Sequence, residues 1–461
     1  MSYILKISGI HQETLHAHLF PGDGLEAVAF ALCGRNRIED GQIMTVQKIV
    51  QVPYHLCDRT PVSVTWRSEV LAAVLDDARN AGFAVVKFHS HPTYYEQFSK
   101  LDDESDAECF AAISSWLDDD EPHGSVVMLP DGRMFGRVSG DAWKPFSMIA
   151  VAGNELSFWH STPDELVDKS EELEAQIQLF GSGTTSRLRR MKIGVVGCSG
   201  TGSFVIELLA RLGVGELVLV DHDRVEKRNL NRIVNSRLGD VGEYKARVLK
   251  REIESFGLGT IVEAVTKNLY SPEAVIEISR CDVVFGCMDT AEGRHILNKI
   301  AAFYVVPYFD LGVHLAADGK GGIDEASGVV HYLQPGGSSL LSRMAYNMKQ
   351  VQVEGLYRTD PEQYKKELKA GYIEGVEVRS PAVASLNTAI AGIAVNEFLS
   401  RLHPFRSCDN RECDVIRFNF METLIMKESA PDPCTALASY VGMGEMDPPL
   451  RMPVLSPQVS E

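Results

Sequence analysis

The run from Met191 to Asp221 constrains the fold of this chain more than any other stretch. Met191 to Val196 is a short apolar segment that ends in Gly197-Cys-Ser-Gly200-Thr-Gly202. A helical pattern follows from Ser203 to Leu212, and then Glu-Leu-Val-Leu-Val closes on Asp221. Strand, glycine-rich turn, helix and strand make a βαβ unit, which needs a parallel sheet around it. Gly197, Gly200 and Gly202 let backbone N–H groups and the helix N-terminus approach phosphates. Asp221 ends the second strand, where a carboxylate can hydrogen-bond a ribose hydroxyl. Ser199 breaks the strict G-x-G-x-x-G spacing. Taken alone, the pattern suits a nicotinamide-dependent dehydrogenase as well as any other nucleotide-using enzyme.

The next residues narrow that choice. Asp221-His-Asp223-Arg-Val-Glu-Lys-Arg-Asn229-Leu-Asn-Arg232 is followed by Lys245 and, after a buried-looking strand, by Cys287-Met-Asp289-Thr. This series resembles the nucleotide segment of ThiF/MoeB/HesA-type enzymes and of eukaryotic ubiquitin activators, over roughly residues 170–425. The resemblance implies a Rossmann-like ATP-binding domain that joins the C-terminal carboxylate of a ubiquitin-like protein to AMP and releases pyrophosphate. It implies Arg232 and Lys245 as phosphate contacts, Asp289 as the magnesium carboxylate, and Asp221, Asp223 and Asn229 as nucleotide contacts. Such chemistry needs cations where negative charge accumulates. It also implies a homodimer. Two departures stand out. The family's Arg-x-x-Arg-Gln segment is replaced by Glu172 to Gly181, which leaves Arg187, Arg189 and Arg190 as possible substitutes. Pro335-Gly-Gly-Ser-Ser339 carries no cysteine, and none occurs between Asp289 and Ser407. Adenylation needs no enzyme thiol, so transfer could fall to a separate conjugating enzyme. Cys434 is a remote thioester candidate.

The front of the chain carries a different chemistry. His89-Ser-His91 ends a buried-looking strand, and Ser99 and Asp102 follow. Histidines at i and i+2 on a strand share a side. Two imidazoles, one carboxylate and an open position make a catalytic zinc set, which lowers the pKa of water to about 7. The residues resemble the JAMM motif of MPN-type metalloproteases, with Pro92 to Phe98 as the intervening segment. That resemblance covers roughly the first 140 residues and implies His89, His91 and Asp102 as zinc ligands. It implies Ser99 as a hydrogen-bond donor to the tetrahedral intermediate and Glu26 as general base, in a context where the family has a helix and a Leu-x-Gly. Ser99-Lys-Leu-Asp102 also reads as a helix capping box. Glu96, Asp103 and Glu104 read as a solvated acidic face.

Together these patterns predict an α/β chain in which an MPN-type zinc metalloprotease domain precedes a Rossmann-like domain with a mostly parallel sheet. The expected boundaries are 1–150 for the first domain, 151–185 for a helical connector beginning near Thr162-Pro163, 186–426 for the adenylyltransferase domain, and 427–461 for a flexible tail. A helix is expected over Val70–Ala81 and strands over Pro61–Ser68, Ala84–His89, Cys281–Cys287 and Tyr304–Phe309. Pro130-Asp131-Gly132 signals a hairpin, and Ala382–Leu402 reads as a buried, nearly all-apolar helix.

The net charge of −18 disfavours nonspecific nucleic-acid binding. No apolar run reaches the roughly 20 residues of a membrane helix. The start lacks the pattern of a secretory signal, and nine scattered cysteines without a CxxC pair suit a reducing cytoplasm. The cofactors expected are Zn2+, Mg2+ and ATP. The partner expected is a ubiquitin-like or sulfur-carrier protein with a Gly-Gly-type C-terminus, as in bacterial ubiquitin-like conjugation systems. The alternatives are sulfur-carrier activation for cofactor or thio-amino-acid synthesis, and a catalytically dead binding scaffold. Zinc content discriminates the scaffold.

Overall fold

The computed structural model describes residues 1–67, 69–162, 171–376 and 381–456. The expected helix start at Thr162-Pro163 falls largely outside these residues. The chain forms two compact units. One comprises Met1–Pro163, Ala302–Val305 and Ser439–Asp447; the other comprises Asp164–Ala301, Val306–Ala438 and Pro448–Glu461.

In the first unit the elements are β1 (Ser2–Ser8), α1 (Gly9–Leu19), β2 (Val28–Ile38), β3 (Gly41–Gln51), β4 (Cys57–Thr60), β5 (Ser63–Trp66), α2 (Glu69–Ala81), β6 (Ala84–Ser90), α3 (Lys100–Leu117), β7 (Gly124–Met128), β8 (Met134–Val138), β9 (Lys144–Pro145), β10 (Met148–Ala152) and β11 (Leu156–His160). Nine strands form one sheet in the order β11-β10-β1-β3-β2-β6-β7-β8-β9. Every residue of β6 is buried, which explains its nearly unbroken apolar run. Leu15 and Leu19 of α1 join Leu5, Ile7, Met44 and Val46 of β1 and β3 in one buried core, and each such large side chain contributes about 1.5–3 kcal/mol by burial. Helix α2 buries Leu71, Val74 and Leu75, the stripe expected from their spacing. The β7–β8 hairpin closes over Pro130 to Gly132, where Gly132 N–H donates to Leu129 O.

The first sheet does not end at residue 150. Strand β10 pairs in parallel with β1, and β11 pairs with β10, so the stretch expected to begin a connector completes the sheet. The tail expectation also fails for Ser439–Asp447, which packs into the first unit. Gly442 N–H donates to Ala302 O and its carbonyl accepts from Gly34 N–H and Thr45 Oγ1, while Val441 and Met443 are buried. Polar, glycine-rich composition suggested looseness, but the glycines serve close backbone approach instead. Gly442 and Gly444 have φ of +72° and +67°, and a side chain on either would strike the backbone of β2 or β3.

The second unit contains α4 (Glu174–Arg190), β12 (Lys192–Val196), α5 (Gly200–Arg211), β13 (Glu216–Val220), α6 (Lys245–Glu254), β14 (Ile261–Val265), α7 (Pro272–Ser279), β15 (Val283–Gly286), α8 (Ala291–Tyr304), β16 (Tyr308–Ala317), β17 (Ile323–Leu333), α9 (Met348–Thr359), α10 (Pro361–Ala370), α11 (Ala384–Leu402), β18 (Val415–Asn419) and β19 (Leu424–Glu428). The sheet order is β14-β13-β12-β15-β16-β17-β18-β19. The first five strands in that order are parallel and the last three are antiparallel. Strand order reverses between β12 and β15, the position where α/β sheets open a ligand crevice. Tyr304 ends α8 rather than opening a strand, and β16 runs on to Ala317. Among the described residues no helix is long and apolar enough to cross a membrane.

Helix α11 differs from its expected all-apolar character in one turn. Phe398 packs against Phe285 and Phe309, but Glu397 and Arg401 are also fully buried. Arg401 Nε lies 2.6 Å from Glu397 Oε1, its Nη2 lies 3.1 Å from Asp414 Oδ1, and its guanidinium stacks 3.6 Å over Tyr332. Arg406 also pairs with Glu397. Removing one member of a buried charge set leaves the others uncompensated. Arg401→Met is therefore expected to destabilise this unit by about 3–5 kcal/mol, read as a lowered urea midpoint. A shift within about 0.5 kcal/mol, the size of an ordinary surface change, would contradict that role.

Candidate metal and nucleotide sites

Strand pairing brings the front site together. His89 stands opposite Val28 in the β2–β6 register and beside Val127 of β7. Glu26 lies two residues before Val28, so the register delivers its carboxylate to the end of β6. Ala27 N–H donates to Ser90 Oγ at 2.9 Å and Ser90 N–H donates back to Ala27 O, which fixes that approach. The residues after Glu26 form β2; the helix expected there lies before Glu26 instead, as α1, because the Leu-Cys-Gly run is drawn into the sheet. His89 Nε2 is 3.0 Å from Asp102 Oδ1, His91 Nε2 is 3.4 Å from Asp102 Oδ2, and the two Nε2 atoms are 3.2 Å apart. Glu26 Oε1 is 4.0 Å from His91 Nε2. One ligand atom each from His89, His91 and Asp102 falls within 4.8 Å of the others. Two imidazole nitrogens and a carboxylate oxygen, all from buried residues and converging, fit the donor set of a three-ligand zinc site.

Of the supports of this set, only the Ser99–Asp102 capping box was legible in the sequence. His91 Nδ1–H donates to Tyr95 O at 2.7 Å, which leaves Nε2 as the free lone pair. Ser99 caps α3: its Oγ accepts from Asp102 N–H, and Asp102 Oδ2 accepts from Ser99 N–H at 2.6 Å. The capping-box reading therefore holds, and the Ser99 hydroxyl hydrogen is not used by it. One turn along α3, buried Asp106 accepts from Arg137 Nη2 at 2.7 Å and pairs with Lys87 of β6. Arg137 also stacks 3.8 Å over Phe98 and reaches Asp103 at 2.5 Å. This pairing of α3 with β6 and β8 fixes where Asp102 meets the histidines. Burial pushes Glu26 up to about 7, against the opposing pull of His91, in the range that suits a general base. Burial also works against the Asp102 charge, but the His89 imidazole and the Ser99 N–H that face it outweigh this and hold that carboxyl well below the usual range.

In the second unit the crevice between β12 and β15 gathers the remaining sequence-expected residues. Gly197 has φ +94°, and a side chain there would meet Cys287 O at 2.7 Å. A side chain on Gly202 would strike Gly197 O, and one on Gly200 would strike the Asn387 amide of α11. Asp221 accepts from Cys198 N–H on one oxygen and from Asp223 N–H on the other, both at 2.8 Å. It thus shapes the glycine turn from below. Burial raises Asp221, and Lys245 and these two bonds oppose the rise. Lys245 is buried at the start of α6, with Nζ 2.7 Å from Asp223 Oδ2 and 4.0 Å from Asp221 Oδ2. Asn229 spends its side-chain oxygen on Glu226 N–H at 2.9 Å and places Arg232 by accepting its backbone N–H. The Arg232 aliphatic chain passes near Gly200. Asp289 is exposed immediately after the Cys287 segment that touches Gly197.

Two arrangements depart from expectation. Arg189 does not substitute for the missing phosphate arginine. Its Nη1 donates to Leu258 O at 2.8 Å and its backbone oxygen crowds Gly215, so it holds the N-terminal ends of β13 and β14, opposite the glycine turn. Cys434 is buried, and its N–H donates to Gly337 O at 3.0 Å. Asn387 and Thr201, which pair across the turn at 3.3 Å, were missed because nothing in an apolar helix marks one asparagine as functional.

The ThiF family model matches residues 173–435. The chain belongs to the ThiF family. A second model, described as prokaryotic homologues of the JAB domain, matches residues 10–159, so a JAB-like domain precedes the ThiF domain. The ubiquitin-like modifier-activating enzyme 5 of Drosophila persimilis is 25% identical over 314 residues, which are 62% of this chain and 78% of that protein. The sulfur carrier protein adenylyltransferase of Thermus thermophilus is 35% identical over 121 residues, 26% of this chain and 45% of that enzyme. A crystal structure of E. coli MccB with ATP covers 60% of this chain and 76% of its own at 18% identity, with a TM-score of 0.44.

The Asp221 arrangement in this ThiF domain generates one expectation. An asparagine there has one acceptor oxygen for two N–H donors, of which that of Cys198 is buried. Asp221→Asn should cost about 1–3 kcal/mol and speed hydrogen exchange at the Cys198 or Asp223 amide. Unchanged exchange at both amides would show that the carboxylate does not shape the turn.

Proposed function

We propose that this chain is a bifunctional enzyme of a ubiquitin-like system, with a zinc-dependent isopeptidase or processing protease in the JAB-like domain and an ATP- and Mg-dependent adenylyltransferase in the ThiF domain. The observation that carries the first half is the convergence of His89, His91 and Asp102 with Glu26 at 4.0 Å from His91. Zinc held by His89, His91 and Asp102 would supply Lewis acidity and a water that ionises near neutral pH. Glu26 takes the proton of the attacking water and returns it to the departing amine. The Ser99 hydroxyl donates to the carbonyl oxygen as it gains charge. The substrate is a peptide or isopeptide bond after the C-terminal glycine of a ubiquitin-like protein.

His91→Ala should lose tightly bound zinc and peptidase activity. Glu26→Gln should keep zinc and lose cleavage by about 10²–10⁴-fold. Elemental analysis after removal of loosely bound ions checks both, and full stoichiometric zinc in His91→Ala would rule out this ligand set. A dead scaffold would bind none in the unmodified chain.

In the second half the exposed carboxylate attacks the α-phosphate of ATP. A carboxylate–phosphorus bond forms, the bond to the β-phosphate oxygen breaks, and pyrophosphate leaves. The glycine turn from Gly197 to Gly202 seats the phosphates, Arg232 and Lys245 offset the accumulating charge, Asp289 holds magnesium, and Asp221, Asp223 and Asn229 frame the nucleotide. The ubiquitin-activating and sulfur-carrier relatives support a small carrier with a Gly-Gly-type tail as the partner. Transfer needs no enzyme thiol in this scheme and falls to a separate conjugating enzyme.

Arg232→Ala, Lys245→Ala and Asp289→Ala should each abolish exchange of pyrophosphate into ATP with the carrier present, while Cys434→Ala should leave it intact. Retained exchange in the first three would overturn the adenylation assignment. A thiol-sensitive adduct on a non-reducing gel that disappears in Cys434→Ala would overturn thiol-free transfer alone.

A further inference from the structure

Glu26 is buried, yet no side chain directs its carboxylate by a hydrogen bond. Oε1 stands 4.0 Å from His91 Nε2. Among the described residues Oε2 has no hydrogen-bond partner. The aim of the carboxylate is therefore set by the backbone of Glu26. That backbone lies one residue before the sheet takes hold, since the bonds to Ser90 begin at Ala27. On its other side is the connection from α1, Phe20-Pro-Gly-Asp-Gly-Leu25. Gly22 and Gly24 have φ of +93° and +73°, and a side chain on either would meet nothing within 4 Å. A glycine-rich connection in open space restrains its neighbour poorly.

The restraint comes from β4. Arg59 Nε donates to Glu26 O at 2.7 Å, and its Nη2 donates to Leu25 O at 3.1 Å. Nη1 lies 2.8 Å from Asp23 Oδ2, and Nη2 lies 3.2 Å from Asp23 Oδ1. One guanidinium thus holds Asp23, Leu25 and Glu26 together. The next residue completes the grip, because Thr60 O accepts from Glu26 N–H at 2.8 Å. Both backbone polar groups of Glu26 are bonded to adjacent residues of β4. The Arg59 side chain is only 8% exposed, so water competes little for these bonds. A surface ion pair with Asp23 would account for part of the fork. It would not account for the bond to the carbonyl of the residue that bears the carboxylate.

Arg59 is itself fixed. Its guanidinium lies 4.3 Å over the Tyr54 ring. Tyr54 Oη donates to His18 O at 2.7 Å, and the two rings stack at 5.0 Å. His18 Nε2 meets Val28 O at 3.0 Å, which ties this group back to β2. Strand β4 pairs only with β5, Arg59 opposite Val64 and Cys57 opposite Trp66. Trp66 packs edge-on against Phe30 of β2 at 5.6 Å and lies 5.5 Å from Lys87 Nζ of β6. The small sheet is anchored on the two strands that carry the site while remaining separate from the nine-stranded sheet.

We infer that Arg59 is the positioning residue for Glu26. It fixes the backbone from which the base reaches the attacking water, and it acts through Glu26 alone. The inference rests on the peptidase reading for the role of Glu26. Displacing a reacting group by about 1 Å costs about 10²-fold in rate, and Glu26 has no side-chain bond to correct such a shift. Lysine cannot take this role, because a single ammonium lacks the fixed fork that spans two carbonyls and a carboxylate.

The full chain loaded with zinc tests this with a fluorogenic isopeptide, in which a Gly-Gly carboxyl is joined to the ε-amine of a lysine peptide. Arg59→Met keeps the stem against Tyr54 and removes the fork. It should retain zinc and KM while kcat falls by about 10²-fold. Arg59→Lys should not restore kcat. Adding Arg59→Met to Glu26→Gln should cost nothing further, because residues that act as a unit do not add. A general structural role would lower kcat by the same factor in both backgrounds or release zinc, and either result overturns the inference. So does full rescue by Arg59→Lys. Hydrogen exchange reads the same grip without turnover: the Glu26 amide should exchange faster in both Arg59 variants while the Ala27 amide stays unchanged. An unchanged Glu26 amide overturns the inference. If Arg59→Met does not fold, Arg59→Lys carries the same measurements. No cleavage by the unmodified chain, or full cleavage by Glu26→Gln, defeats the peptidase reading and the inference with it. Cleavage that Glu26→Gln abolishes, with additive loss from Arg59→Met, defeats only the positioning role.

Discussion

A central strand paired on both edges exhausts its hydrogen-bonding partners at its end, and both sites of this chain lie where that happens. Strand β6 is held by β2 and β7, and strand β12 by β13 and β15. Within the sheet every backbone donor and acceptor is matched, so the side chains can be apolar. At the last residue the backbone turns away, and polar groups become affordable because new partners converge there. His89 and His91 occupy that place in the first unit. Gly197 to Gly202 occupy it in the second.

Each site is then completed by a helix that starts nearby. Asp102 is the third residue of α3 and is positioned by the Ser99 cap; Lys245 opens α6 and is positioned by Asp223. In both cases a short polar turn sets where a helix begins, and the helix carries the functional side chain. The burial of Asp106 against Lys87 and Arg137 extends this control, because Asp102 and Asp106 share one face of α3. A charge network outside the His89–His91–Asp102 set thereby positions Asp102, the candidate metal ligand. The same logic makes α8 notable, since its first turn is completed by a carboxylate from a helix with no buried residue.

The missing family arginines take on a different meaning in this light. Arg189 is committed to the opposite end of the sheet from the glycine turn. The cations that the described residues bring to the crevice include Arg232 and Lys245. Arg294 of α8 is held by the buried carboxylate of Asp310 on a neighbouring strand, so its position depends on the sheet rather than on the connector.

Sequence alone determined the two architectures and marked the candidate site residues, because both depend on short-range spacing. Two histidines two apart, a serine and aspartate at fixed distance, and a glycine turn between apolar strands report themselves within a few residues. Element positions such as α2, β6 and the β7–β8 hairpin were legible for the same reason. Only the tertiary structure decided what those residues touch. Glu26 meets His91 through the register of β2 on β6. Ser439–Asp447 joins the first unit through backbone contacts that composition does not encode. Strands β10 and β11 complete the first sheet because β1 offers an open edge. Glu354 caps the first turn of α8 at Ala291 and Glu292 although more than 60 positions separate them in the chain. Such pairings turn on burial and on which hydrogen-bonding groups remain unsatisfied after the sheets have formed, and neither quantity exists before the chain folds.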